Sequence, residues 1–164
     1  MKNIVLTGMS GSGKSTVGAI LAVRLNSGFA DVDFLIEKQE KLSVSEIFTL
    51  KGEKYFRGIE RRTIENLSGE NLVISLGGGA FEDDNTRNLL LNNANVFYLE
   101  TSADVIFSRL IGKNDRPILK ELTLDKIHSM LEKREKHYKL AHYKVLTDNK
   151  SPEKIAEEIL KCLN

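Results

Sequence analysis

A chain of 164 residues, 41% of them hydrophobic, has the size of one ordinary domain with a core of its own. With 24 Lys+Arg against 23 Asp+Glu, it is neither a polycationic nucleic-acid arm nor an acidic tail, and its hydrophobic content excludes disorder. The lone Cys162 excludes a disulfide framework, and no apolar run approaches the ~20 residues of a membrane span. Met1-Lys2-Asn3 runs straight into Ile4-Val5-Leu6 and leaves no room for a leader segment, so a cytoplasmic protein is expected.

Taken in order, Ile4-Val5-Leu6 predicts a buried strand, and Val17, Ile20, Leu21 and Leu25 recur at helical spacing. Phe29 to Asp33 predicts a second, weaker strand. Ser43-Val44-Ser45-Glu46 is a capping box, opening a helix with Val44, Ile47 and Phe48 inward and Gly52 as its stop. A helix over about 53–67 follows, with Phe56, Ile59, Ile64 and Leu67 inward. Leu72 to Leu76 predicts a third strand ending in Gly77-Gly78-Gly79, and Val96 to Leu99 a fourth. Thr101 or Ser102 then caps a helix through Leu110. Residues 111–122 lack any period and predict a loop. A helix from Leu124 to about His142 carries Leu124, Ile127, Leu131 and Tyr138 on one stripe. Val145-Leu146 is a short last strand, and Ser151-Pro152 open the terminal helix as N-cap and first residue. Strands alternating with helices predict a parallel sheet covered on both faces, with ligands at the carboxyl ends of its strands.

Gly8-Met9-Ser10-Gly11-Ser12-Gly13-Lys14-Ser15-Thr16 matches G-x-x-x-x-G-K-[ST] between a predicted strand and helix, the context this motif requires. Gly11, Ser12, Gly13, Lys14, Ser15 and Thr16 are therefore candidates to bind a nucleoside triphosphate. Their amides would curl round phosphate oxygens, with Lys14 on the terminal phosphates and the Ser15 hydroxyl on Mg²⁺. Without ligand, Lys14 is expected to face solvent. The chain has no Asn-Lys-x-Asp guanine reader and no Asp-x-x-Gly sensor, which excludes a switch GTPase. Because the third strand ends in glycines, Asp31 is the best candidate for a metal carboxylate, a solvated loop acid being the other reading. Asp31-Val32-Asp33, read as strand, puts both carboxylates on one side. Arg57 shares a helix face with Glu60 and Arg61. Arg61 and Arg62 are expected to be solvated, as is Arg134 by default, and His128, His137 and His142 have no metal-ligand spacing and are expected at the surface.

Asp31-Val32-Asp33, Ser43-Val44-Ser45-Glu46-Ile47-Phe48, Gly52-Glu53-x-Tyr55-Phe56-Arg57-x-x-Glu60, Gly77-Gly78-Gly79, Arg116-Pro117-Ile118-Leu119 and Arg134-x-x-x-Tyr138 together resemble the shikimate kinase family, in order along the whole chain. The resemblance implies an α/β P-loop kinase fold: three layers, a five-stranded parallel sheet and a lid at about 111–122, in a single domain over 1–164. It implies transfer of the ATP γ-phosphate to the 3-hydroxyl of shikimate, with one Mg²⁺ held by Ser15 and Asp31. By the same resemblance, Asp33 holds substrate hydroxyls within a substrate region at about 31–61, and Arg57 and Arg134 clamp the substrate carboxylate. Gly77, Gly78 and Gly79 admit the ring, Lys14 and Arg116 neutralise the transferring phosphoryl group, and Arg109 and Pro152 stand at adenine-contacting positions. Phe48, Phe56 and Glu60 shape the pocket. A monomer without nucleic-acid or membrane partners is expected. Ser10, where the family often has Gly, keeps a gluconate-type sugar-acid kinase as the alternative, beside a nucleotide switch without catalysis.

Overall fold

The computed structural model describes residues 2–67, 69, 71–111 and 122–163; the predicted lid with Arg116 lies outside the described residues except at its two ends. Among the described residues the strands are β1 (Asn3–Thr7), β2 (Gly28–Asp31), β3 (Leu72–Ser75), β4 (Ala94–Glu100) and β5 (Tyr143–Leu146). They form a parallel sheet in the order β2-β3-β1-β4-β5, with Val5 opposite Ile74 on one side and Val96 on the other. The helices are α1 (Lys14–Leu25), α2 (Val32–Glu40), α3 (Val44–Lys51), α4 (Glu53–Asn66), α5 (Asp84–Asn93), α6 (Ala103–Ile111), α7 (Leu124–Tyr138) and α8 (Pro152–Leu163).

Strand alternation builds the three layers. Ile4, Leu6, Phe97 and Leu99 point to one face, where Val17 and Leu21 of α1 and Ile155 and Ile159 of α8 cover them. Val5, Val96 and Tyr98 point to the other, against Ile36, Ile47, Ile59, Ile64, Ile127 and Tyr138. A sheet buried on both sides leaves only its strand ends for chemistry.

The capping box stands as expected: Glu46 N–H donates to Ser43 Oγ at 3.2 Å and Ser43 N–H to Glu46 Oε2 at 2.7 Å. Ser151 likewise caps α8 through Lys154 N–H at 3.3 Å. Two expectations are corrected. The second strand stops at Asp31, and Val32 to Glu40 is helix. Asp31 is extended (φ −100°, ψ 116°) and its Oδ1 accepts Phe34 N–H at 3.1 Å, so it is the N-cap of α2. Asp33 therefore occupies a helix's first turn, and the two carboxylates do not share one side of a strand. The long helix ends at Tyr138, short of His142, because β5 must be extended from Tyr143 to pair with Phe97. His142 marks the change of direction, its Nδ1 accepting Val96 N–H at 3.1 Å. Between the glycines and β4 the sequence has no clear period. There the chain makes a 3₁₀ turn over Ala80–Glu82 and then α5, capped by Asp83 through Thr86 N–H at 2.8 Å.

Candidate active site

The phosphate loop joins β1 to α1. Gly13 is its last residue and the N-cap of α1, held at φ 93°, which a β-carbon would strain. The Lys14 side chain does not face solvent as expected. It is 7% exposed, and its Nζ donates to the carbonyl oxygens of Gly8 and Met9 at 2.8 Å each. Burial pushes its pKa down to about 8, with Asp33 and Asp31 pulling the other way. Ser15 and Thr16 are exposed on the first turn of α1, Ser12 is buried, and the Arg109 Nη1 of α6 donates to Gly11 O at 3.1 Å. Pro152 opens α8 beyond the carboxyl end of β5, at the same edge of the sheet.

Ser15 and Asp31 meet directly, the serine hydroxyl donating to Asp31 Oδ2. A hydroxyl and a carboxylate beside the phosphate loop are hard oxygen donors that suit Mg²⁺. The described residues hold no cluster of three or more His, Cys, Asp or Glu placed to bind a metal. Such a partial shell suits an ion that keeps its waters and takes its other ligands from a nucleotide.

The Gly77-Gly78-Gly79 turn, after β3, gathers the remaining candidates. A β-carbon on Gly77 would lie 2.7 Å from Asp33 Oδ1 and 2.8 Å from Glu60 Oε1. On Gly78 it would lie 3.2 Å from Arg134 Nη1 and 3.4 Å from the Ser10 amide nitrogen, and on Gly79 it would overlap the Arg57 guanidinium. A side chain at Gly77 or Gly79 would therefore displace the carboxyl or guanidinium group beside it, and one at Gly78 would press on Arg134 and the phosphate loop. Asp33 Oδ1 and Glu60 Oε1 are buried without a hydrogen-bond partner among the described residues. Burial raises both carboxyls above their ordinary range, reinforced at Asp33 by Asp31 and opposed at Glu60 by Arg57.

Arg57 Nη1 donates to Glu60 Oε2 at 2.6 Å, the partial hold expected, and its Nε lies 3.6 Å from Glu53. Phe48 and Phe56 pack with ring centroids 4.8 Å apart, and the guanidinium stands 5.9 and 5.4 Å from those centroids. Arg134 is not solvated: it is 18% exposed, and its Nε donates to Glu82 Oε1 at 2.7 Å. Arg61 is not free either, pairing with Asp83 at 2.6 Å, while His137 is half-buried with its Nδ1 3.2 Å from Arg87 Nη1. One participant, Glu82, carried no local signal. It lies 52 residues from Arg134. Tyr138, expected as core, is buried on the ring of Tyr98 and donates its hydroxyl to Gly78 O. A cavity of about 260 Å³ opens beside the turn, lined by Arg57, Glu60, Gly79 and Glu82 among others.

A sequence profile of the shikimate kinase family matches residues 10–164. The chain belongs to that family. It is 46% identical over 161 residues to a shikimate kinase of Sulfurihydrogenibium sp. (strain YO3AOP1), covering 98% of this chain and 96% of the relative. Its backbone matches a shikimate kinase from Acinetobacter baumannii in complex with shikimate at TM-score 0.92 and 32% identity, over 99% of this chain and 93% of the other. Against a shikimate kinase from Bacteroides thetaiotaomicron the values are 0.91 and 35%, over 99% and 98%. The α/β P-loop kinase architecture expected from the sequence is thereby borne out.

Proposed function

We propose that the protein is a shikimate kinase, moving the γ-phosphoryl group of ATP to the 3-hydroxyl of shikimate and releasing shikimate 3-phosphate and ADP. The observation that carries this reading is convergence. Arg57, Arg134 and Asp33 stand on three different helices and all approach one glycine turn beside the phosphate loop. Two guanidinium groups and a hydrogen-bond acceptor at one turn suit a small hydroxylated carboxylate.

Phosphoryl transfer asks the protein mainly for positioning and neutralisation of charge. Arg57 and Arg134 take the substrate carboxylate. Asp33 Oδ1, buried and unpartnered, accepts the hydroxyl proton, and its raised pKa makes it a better acceptor than an ordinary carboxylate. Lys14 neutralises the terminal phosphates, Gly11, Ser12, Gly13 and Thr16 cradle them, and Arg109 and Pro152 flank the base. Arg116, in the predicted lid, would meet the transferred group and help exclude water. Ser15 and Asp31 would hold one Mg²⁺ with the nucleotide. When bound, that ion supplies positive charge at the phosphate oxygens. The protein would act as a cytoplasmic monomer; no helix among the described residues is long and apolar enough to cross a membrane.

A coupled assay for ADP tests the reading. ADP release is expected to require shikimate together with ATP and Mg²⁺; equal release with and without shikimate would refute it.

A further inference from the structure

We propose that Glu82 is a positioning residue for the substrate-carboxylate clamp: by accepting the Nε–H of Arg134, it presents the far end of that guanidinium to the Gly77–Gly79 turn. The inference rests on the reading of Arg134 given under Proposed function and adds the residue that sets its orientation.

A guanidinium is planar, so fixing the Nε edge fixes the plane and leaves the two Nη groups for a bidentate partner. Here the Nε edge is taken by Glu82 Oε1 at 2.7 Å. The Nη1 end lies on the opposite side, beside Gly78 and 4.0 Å from Met9 Sδ in the phosphate loop. The acid comes not from α7 but from the 3₁₀ turn that follows the glycines; on α7 itself the Tyr138 hydroxyl also interacts with Arg134. That turn is held firmly. Glu82 N–H donates to Gly79 O at 3.2 Å, and the carbonyl oxygens of Phe81 and Glu82 accept from Arg87 Nη1 at 3.1 and 3.2 Å. The same Arg87 nitrogen lies 3.2 Å from Nδ1 of His137, which is three residues beyond Arg134 on α7. Two struts, Arg87–His137 and Glu82–Arg134, thus join the turn to the helix that carries the clamp.

Stability does not explain the pair. The Glu82 side chain is 38% exposed, and ion pairs so open to water contribute little. Its charge is also of the wrong sign for the purpose, since Glu82 lines the cavity that holds Arg57 and repels an incoming carboxylate. A favourable acceptor and an unfavourable charge sit on one side chain, and two substitutions separate them. Glu82→Gln removes the charge and keeps an oxygen for Arg134 Nε–H; Glu82→Ala removes both. Positioning predicts that Ala is harmful and Gln restores function, whereas a charge effect alone predicts that both variants bind shikimate better.

The test is steady-state kinetics with shikimate and ATP varied separately, on wild type, Glu82→Ala, Glu82→Gln and Arg134→Ala. Glu82→Ala is expected to raise the shikimate KM roughly fivefold, the scale of freeing one long side chain, with kcat and the ATP KM changed less than twofold. Glu82→Gln should recover at least half of that rise. If Arg134→Ala raises the shikimate KM but Glu82→Ala leaves it within twofold, the inference on Glu82 is overturned and the clamp stands. If Glu82→Gln is as poor as Glu82→Ala, an acceptor at Nε is not what matters, and the inference is again overturned. If Arg134→Ala leaves the shikimate KM alone and raises that of ATP, the clamp reading falls and takes this inference with it.

Discussion

The Lys14 ammonium is held where its own burial opposes its charge. A fall from 10.5 to about 8 corresponds to about 3 kcal/mol against the charged form, desolvation outweighing the pull of Asp33 and Asp31. In the proposed site that positive charge would be ready for phosphate, the usual conflict between stability and activity. Lys14→Met should abolish transfer and change the stability of the free protein by less than about 2 kcal/mol, because relief of the lysine's burial is set against two buried carbonyl oxygens left unpaired. Calorimetry of the unliganded variant at pH 7 checks this: a larger loss would mean that the lysine's hydrogen bonds outweigh its burial.

At the scale of elements, the turn from β2 into α2 joins folding to chemistry through one residue. Asp31 Oδ1 caps α2 through Phe34 N–H, while Oδ2 accepts the Ser15 hydroxyl at the proposed metal position. The two roles separate because an amide can cap a helix as well as a carboxylate can but is a poor ligand for Mg²⁺. Asp31→Asn should leave Tm almost unchanged and raise the Mg²⁺ concentration for half-maximal turnover by roughly tenfold. Asp31→Ala should add the loss of the cap, about 1 kcal/mol. Melting curves and a Mg²⁺ titration of turnover on both variants measure this. A Tm loss in Asp31→Asn equal to that in Asp31→Ala would refute the separation.

Across the whole molecule, the proposed substrate pocket is a source of instability that depends on pH. Burial raises the Glu60 carboxyl above its ordinary 4.5, despite Arg57, and raises Asp33 above 3.8. A carboxyl whose pKa is higher folded than unfolded binds its proton more tightly in the folded state. Its contribution is therefore complete below the unfolded value and is lost as pH rises through the folded one. The Tm of the free protein should accordingly fall as pH climbs from 4.5 through the raised Glu60 value, and Glu60→Gln should flatten that part of the curve. Parallel curves for wild type and variant over pH 4.5–7 would show that Glu60 is ionised throughout.

What the sequence determined by itself is what local rules control. The phosphate loop, the capping box and the alternation of β1 and β4 are short patterns with one physical solution each, so the parallel sheet and the proposed nucleotide end of the site were legible. The candidates Asp31, Asp33, Arg57 and Arg134 were legible too, though for the two arginines only resemblance outweighed a solvated face. The helical start at Asp31 was missed because Phe29-Ala30-Asp31-Val32-Asp33 suits a strand. The signal was present in the spacing of Val32, Leu35 and Ile36 behind an Asp cap. The tertiary structure alone decided the rest. Lys14 is buried because the loop folds its own carbonyls over the side chain, and Arg134 is held because a turn 52 residues away presents Glu82 to it. The three glycines lie close to acids from α2 and α4 and arginines from α4 and α7, which all approach one turn. Those approaches are long-range contacts between separately encoded elements, and no window of residues contains both partners.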